Sequence, residues 1–200
     1  MIKDIHVCWE EYSHLIEKLA VGVKGLIKIK GEYGEKGKGY DFNQIVCIAK
    51  GGLRIGDVFH RIFDRPKNRV SLAILSAESY GVGDESGIKN QRGNVIFSRD
   101  LAKTTPDLGS HVLLVDDLTD SGTTLKRSVD WLNSYYGFHI EEVRTATLWH
   151  KRDISEFTSD YYVEAVPGKN PWIHQPVEKY EKMNIEELKH RVEGYNRINE

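Results

Sequence analysis

The chain has 200 residues, 28 basic and 30 acidic, a formal net charge of −2, and 40% hydrophobic residues. That length and apolar content suit one compact domain, and the near-neutral balance lacks the basic stripe of a nucleic-acid surface. No apolar run approaches the roughly 20 residues that a membrane span needs. The N-terminal MIKDIHVCWEEY brings in acids early and has no signal-peptide core. Cys8 and Cys47 lie far apart, so the expectation is two buried, reduced thiols in a cytoplasmic protein. The histidines are scattered without HExxH or Cys/His ligand spacing, which argues against structural zinc.

In WEEYSHLIEKLAVGV, residues 9–23, Tyr12, Ile16 and Leu19 fall on one helical stripe, with Glu10 and Glu11 in the first turn where the helix dipole favours them. Residues 30–41, KGEYGEKGKGYD, are rich in glycine and charge and are expected to be an exposed loop. Ile45 to Ala49 predicts a buried strand that breaks at Lys50-Gly51-Gly52 before helical spacing resumes in LRIGDVFHRIF. This turn is a candidate anion cup with its own cation, although a plain tight turn explains Gly-Gly as often. Val70 to Leu75 predicts a third strand, followed by Ala77-Glu78-Ser79-Tyr80. GVGDESGIKNQRG, residues 81–93, is too long and glycine-rich for a simple connection and reads either as a lid or as an idle surface loop.

Val95 to Phe97 is a short strand, and the chain then reaches HVLLVDDLTDSGTTL, residues 111–125. Four apolar residues, Val112 to Val115, predict a buried strand, with Asp116 and Asp117 expected at its end. A hydroxyl-rich turn, Thr119 to Thr124, leads into the helical run LKRSVDWLNSYY. The first N–H groups of a helix have no intrahelical partner and carry partial positive charge, so a phosphate fits there. Gly122 permits the backbone angles that such a wrapped turn needs. The turn is neither a P-loop nor G-x-G-x-x-G. Carboxylates repel phosphate, so the acidic pair should serve a sugar diol or Mg²⁺. The alternative is that Asp120 or Thr119 merely caps the helix.

RTATLW, ending in His150-Lys151-Arg152, and Tyr161 to Val166 predict two more strands. Pro171-Trp172-Ile173-His174-Gln175-Pro176 follows, and Asn184-Ile185-Glu186-Glu187 reads as a capping box opening a last helix. Alternating strands and helices predict an α/β protein with a mainly parallel twisted sheet flanked by helices. Lys50, Asp116, Asp120 and Lys151 all lie at predicted strand ends, where ligands collect in such sheets.

VLLVDDLTDSGTT resembles the phosphoribosyl pyrophosphate signature of type I phosphoribosyltransferases: apolar strand, two acids, apolar residue, any residue, Asp, small residue, Gly, any residue, Thr. Within that family the chain is most similar to xanthine–guanine and other 6-oxopurine phosphoribosyltransferases. Trp-Glu, Ala-Lys-Gly-Gly-Leu, the Ser-Tyr loop start, the acidic signature, Thr-Leu-Trp-His-Lys and Trp-Ile-x-Gln-Pro occur in the family's order from about Trp9 to Glu178. The resemblance implies one domain over 1–200, with a core at about 40–150 and a small hood formed by terminal segments at about 1–30 and 151–200. It also implies transfer of ribose 5-phosphate from phosphoribosyl pyrophosphate to N9 of guanine, xanthine or hypoxanthine, Mg²⁺ dependence, and a homo-oligomer, dimer or tetramer.

Position by position, the resemblance puts Lys50, Gly51 and Gly52 on the pyrophosphate, with a cis peptide between Ala49 and Lys50. Ser79 and Tyr80 open a loop that closes over the pyrophosphate and excludes water, with Lys89 and Arg92 available as cations. Asp116 and Asp117 hold the ribose hydroxyls, and Asp117 also lies near Mg²⁺. Asp120, Ser121, Gly122, Thr123 and Thr124 wrap the 5-phosphate, and Asp120 is the general base toward purine N7. Lys151 donates to O6, Trp172 stacks on the base, Ile173 offers its carbonyl to the 2-position, and Glu178 lies near a second metal. Two residues depart from the pattern: His174 stands where the family has an acid, and Val177 where it has an aromatic. Both fall at the 2-position rim, so the preferred base stays open. The rival readings are a transferase for another base, a non-catalytic sensor of phosphoribosyl pyrophosphate or nucleotide, and an unrelated phosphate-binding fold.

Overall fold

The apolar runs Ile45–Ile48 and Val112–Val115 become adjacent parallel strands inside a seven-stranded sheet. A computed structural model describes residues 4–79, 95–167 and 171–194. The strands are β1 (Ile5–His6), β2 (Gln44–Ala49), β3 (Ser71–Ser79), β4 (Val95–Phe97), β5 (Ala102–Lys103), β6 (His111–Thr119), β7 (Glu142–Lys151), β8 (Tyr161–Val166) and β9 (Ile173–His174). The helices are α1 (Trp9–Val23), α2 (Glu32–Glu35), α3 (Leu53–Phe63), α4 (Thr123–Tyr136) and α5 (Ile185–Glu193), with a single 3-10 turn at Glu178–Tyr180.

Two compact units emerge. Leu15–Asn170 forms the larger, and Met1–His14 with Pro171–Glu200 the smaller. Residues 15–30 and 151–167 fall in the larger unit. The large sheet runs β4-β3-β2-β6-β7-β8, with β5 pairing β3 from the side. Pairs β2–β3, β2–β6, β6–β7 and β7–β8 are parallel, and only β4 and β5 run antiparallel. Strand order reverses between β2 and β6, which creates a switch-point crevice at their carboxyl ends. In the smaller unit β1 and β9 form a two-stranded parallel sheet.

Alternation along the strands sorts side chains to two faces. Val46, Ile48, Ala73, Leu75, Val112 and Leu114 pack with Leu125, Trp131 and Leu132 of α4. The opposite face takes α3: a methyl at Gly56 would lie 1.9 Å from Cys47 Sγ, so the helix sits against the sheet there because residue 56 has no side chain. Along α1, Tyr12, Leu15, Ile16, Leu19, Ala20 and Val23 are buried at helical spacing.

Three expectations need correction. Residues 30–41 are not a plain exposed loop: they contain α2, and Gly34 and Tyr40 are buried. The Tyr40 hydroxyl lies 3.3 Å from the Val112 carbonyl and 3.1 Å from that of Glu142, tying this stretch to the sheet. Cys8 is exposed, while Cys47 is buried and its thiol is pushed up to about 12 by burial; both are free. Finally, β6 does not stop before the carboxylates. It continues through Asp116 and Asp117 to Thr119, because Leu118 and Thr119 still pair with Trp149 and His150 of β7. Among the described residues no helix is long and apolar enough to cross a membrane.

Candidate active site

The turn after β2 touches β6 at the switch point. A methyl added to Gly51 would lie 2.3 Å from Asp117 Oδ1 and 2.8 Å from Asp116 Oδ1. The Lys50-Gly51-Gly52 turn therefore rests directly on the acidic pair. A methyl at Gly52 would meet the Val115 carbonyl oxygen at 2.2 Å. The peptide between Ala49 and Lys50 is cis. Lys50 is exposed at this turn and forms no ion pair among the described residues.

Asp116 is buried and accepts the backbone N–H of Asp117 at 2.9 Å, with a further backbone hydrogen bond from Gly52. Burial, and next the neighbouring Asp117 charge, hold its carboxyl well above the usual carboxylate range. Among the described residues no cluster of three or more His, Cys, Asp or Glu could hold a metal. Two neighbouring carboxylates instead fit a Mg²⁺ that keeps its waters and shares substrate phosphates, which is this ion's usual habit.

The turn after β6 leaves the start of α4 without a side-chain cap, and Gly122 adopts φ +80°. Thr123 N–H donates to Ser121 Oγ at 3.3 Å, within the turn itself. The simple capping role considered for Asp120 or Thr119 is therefore absent. Thr119 is buried, with its hydroxyl 2.6 Å from Ser159 Oγ and 3.2 Å from Thr147 Oγ1. The segment after β7 braces the turn from outside: Glu156 N–H donates to the Ser121 carbonyl at 3.0 Å, and a methyl at Gly122 would meet Ser155 Oγ at 2.7 Å and Phe157 N at 2.8 Å. Sequence reasoning missed these braces. Thr147 lies in EVRTATLWHK, a strand of mixed polar and apolar residues, and gave no signal, and Ser155, Phe157 and Ser159 sit in a stretch with no periodicity.

Asp120 follows β6 directly, and Lys151 ends β7. Lys151 Nζ lies 3.3 Å from Asp120 Oδ1; the lysine side chain is 5% exposed and the aspartate 54%. A buried cation is thus matched by a carboxylate that still faces solvent, so a proton acceptor and a cationic donor sit side by side. His150 is also buried, its Nδ1 without a hydrogen-bond partner, and burial lowers its pKa.

Of the remaining candidates, Ser79 closes β3, and Tyr80, Lys89 and Arg92 lie outside the described residues, as does the whole 81–93 segment. Trp172, Ile173 and Glu178 belong to the smaller unit. Trp172 is 59% exposed, so it is no core plug, while Ile173 of β9 is buried. Glu178 Oε2 accepts from Trp172 Nε1 at 3.3 Å, and Oε1 from Gln175 N–H at 3.2 Å.

A mainly parallel sheet, with an uncapped helix N-terminus following a strand that carries two adjacent carboxylates, is the architecture of phosphoribosyltransferases. The phosphoribosyl transferase domain matches residues 14–182, and the chain belongs to that family. A hypoxanthine/guanine phosphoribosyltransferase of Methanopyrus kandleri is 30% identical over 103 residues, which is 52% of this chain and 51% of the relative. The chain thus spans about half the length of the curated relatives it matches. The fold is similar to a purine phosphoribosyltransferase of Pyrococcus horikoshii (TM-score 0.59, 18% identity, covering 88% of this chain and 93% of that one). It is also similar to a Neisseria gonorrhoeae protein of unassigned function with bound ppGpp (TM-score 0.57, 15% identity, 96% of each chain).

Proposed function

We propose that this protein transfers ribose 5-phosphate from phosphoribosyl pyrophosphate to N9 of a 6-oxopurine, giving a nucleoside monophosphate and pyrophosphate, as in purine salvage. The observation that carries the reading is the Asp120–Lys151 pair beside the uncapped start of α4. The 5-phosphate binds the backbone N–H groups of residues 121–124, and the Ser121 and Thr123 hydroxyls line the same turn. Asp116 and Asp117 accept the ribose hydroxyls. Lys50 and the Gly51–Gly52 backbone take the pyrophosphate, with Ser79 and Tyr80 at the start of the covering loop. When bound with the substrate, Mg²⁺ neutralises pyrophosphate charge, and Asp117 is the residue nearest that role.

The bond from C1′ to the pyrophosphate oxygen breaks, with the electron pair leaving on pyrophosphate, and N9 bonds to C1′. The transition state is a ribosyl cation-like species stabilised by position and by charge neutralisation. The base then carries one proton too many, and Asp120 accepts it at N7. Lys151 donates to O6, which a 6-amino base cannot match. Trp172 stacks on the base and the Ile173 carbonyl meets its 2-position. A cytoplasmic homo-oligomer, dimer or tetramer, belongs to the same reading.

The test is release of pyrophosphate with guanine, hypoxanthine or xanthine, run beside adenine and pyrimidines. No product with any 6-oxopurine sinks the proposal. A second reading, a sensor of nucleotide rather than an enzyme, draws on the ppGpp held by the Neisseria neighbour. Tight binding of ppGpp together with no turnover of any base would favour it.

A further inference from the structure

Both oxygens of the Glu178 carboxylate make contacts beside Trp172, the residue on which the base-stacking role rests. Trp172 immediately precedes β9, and its ring centroid lies 6.4 Å from that of His174 within the strand, while Ile173 between them is buried. Parallel pairing fixes this segment to β1: Ile5 N–H donates to the Trp172 carbonyl at 2.8 Å, and Val7 N–H to that of His174 at 3.0 Å. Asp4 Oδ1 accepts the Trp172 backbone N–H at 3.1 Å.

His174, where the family pattern has an acid, then joins two carboxylates. Its Nε2 lies 3.5 Å from Asp4 Oδ2 and its Nδ1 3.4 Å from Glu178 Oε2. The ring stacks on His6, with centroids 4.4 Å apart and planes at 13°. Glu178 Oε2, oriented this way, takes the indole N–H of Trp172. Oε1 takes the Gln175 N–H, closing the turn into the 3-10 segment. An oxygen that accepts an indole N–H and faces an imidazole has little left for a hard cation, which demands near-ideal octahedral oxygen geometry.

We propose that Glu178 is a positioning residue for Trp172 rather than a metal ligand, and that the Asp4–His174 pair holds Glu178 in that role. An acid at position 174 would repel both Asp4 and Glu178, so the exchange of acid for histidine is what allows the chain to lock its exposed tryptophan. The benefit is preorganisation: a ring held in one orientation loses less freedom when a flat base stacks on it. This rests on the proposed base-binding function of Trp172.

The test labels the full chain with 5-fluorotryptophan, which gives one fluorine per tryptophan at four sites. The resonance lost in Trp172→Phe reports on Trp172. Mg²⁺ alone should leave it in place. Glu178→Ala should displace or broaden it, and Glu178→Gln, which keeps an acceptor oxygen for the indole, should restore most of it. In turnover, Glu178→Ala should raise KM for the base about fivefold while kcat changes less than about twofold, with half-saturating Mg²⁺ unchanged. A Trp172 resonance that moves with Mg²⁺ alone, or that ignores Glu178→Ala, overturns the proposal, as does a rise in half-saturating Mg²⁺. Should the wild type form no nucleotide from any base, the functional reading falls while the fluorine spectra still decide the anchor.

Discussion

The turn after β2 and the turn after β6 both pass from a buried parallel strand into a helix, yet they are glycine-rich for different reasons. At Gly51 and Gly52 the cause is proximity. Gly52 has an ordinary φ of −71°, but a methyl there would strike the Val115 carbonyl of the next strand. At Gly122 the backbone itself is left-handed. The first turn is thereby pressed onto the acidic pair and contributes mainly backbone and one lysine. The second is braced by residues 155–157 and carries the side chain proposed for chemistry. The proposed anchoring and proton transfer are thus divided between two turns, the first of which lies against Asp116 and Asp117 of β6.

The largest expected effect follows from that division. Asp120→Asn keeps the shape of its turn but loses the proton acceptor, so kcat should fall about 10²–10⁴-fold while phosphoribosyl pyrophosphate still binds, as read by single-turnover kinetics and calorimetry. Full turnover would move the chemistry out of this turn. Lys151→Met comes next. It removes one charged hydrogen bond to the base, so kcat/KM for a 6-oxopurine should fall about 10–100-fold, with affinity for phosphoribosyl pyrophosphate little changed. An equal loss for every base tested would mean that the lysine supports the fold and does not select the base.

The glycines test the other half of the comparison through urea midpoints. Gly52→Ala meets backbone of β6 and β2 and should cost about 3 kcal/mol. Gly122→Ala incurs the left-handed penalty of about 1–2 kcal/mol and must also displace Ser155 and Phe157. Gly51→Ala meets mainly a carboxylate that can turn, so its stability cost should be the smallest, below about 1 kcal/mol, while binding of phosphoribosyl pyrophosphate weakens most. A Gly51→Ala as unstable as Gly52→Ala would show that the acidic pair is locked in place.

These contrasts explain what could be read from residues in order. Val112–Val115 and Ile45–Ile48 announce buried strands because parallel strands covered on both faces need continuous apolar runs. The Asn184 capping box was legible and is formed, with Glu187 N–H donating to Asn184 Oδ1 at 2.8 Å. Strand β8 was legible end to end from YYVEAV. What stayed hidden depends on distant partners. The extension of β6 to Thr119 needs β7 beside it. The hydroxyl cluster of Thr119, Thr147 and Ser159 joins three separate segments. Strands β1 and β9 are two residues each, too short for any alternation, and exist because they pair with one another. His174 shows the same limit at the site: as a departure from a pattern it looked like a question about base preference, and only Asp4, 170 positions earlier in the chain, reveals its partner.

The smallest expected effect concerns Asp116, the β6 carboxylate beside the first turn. Its carboxyl titrates above the usual range in the folded protein because of burial and then of the Asp117 charge. For an acid shifted upward the folded state binds the proton more tightly than the unfolded chain does. The resulting stabilisation is complete below the unfolded value, near 3.9, and is lost as pH rises through the folded one. Asp116→Asn cannot ionise, yet its amide oxygen still accepts the Asp117 N–H. The variant should therefore gain on the wild type as pH rises from 4 toward 8, seen as a growing difference in urea midpoint. Its affinity for the ribose diol should fall behind that of the wild type over the same range, since only the ionised carboxylate of the wild type accepts both hydroxyls. A difference that stays flat with pH would mean that the charge on Asp116 is relieved in the free protein, and that Gly51 and Asp117 leave room for water beside it.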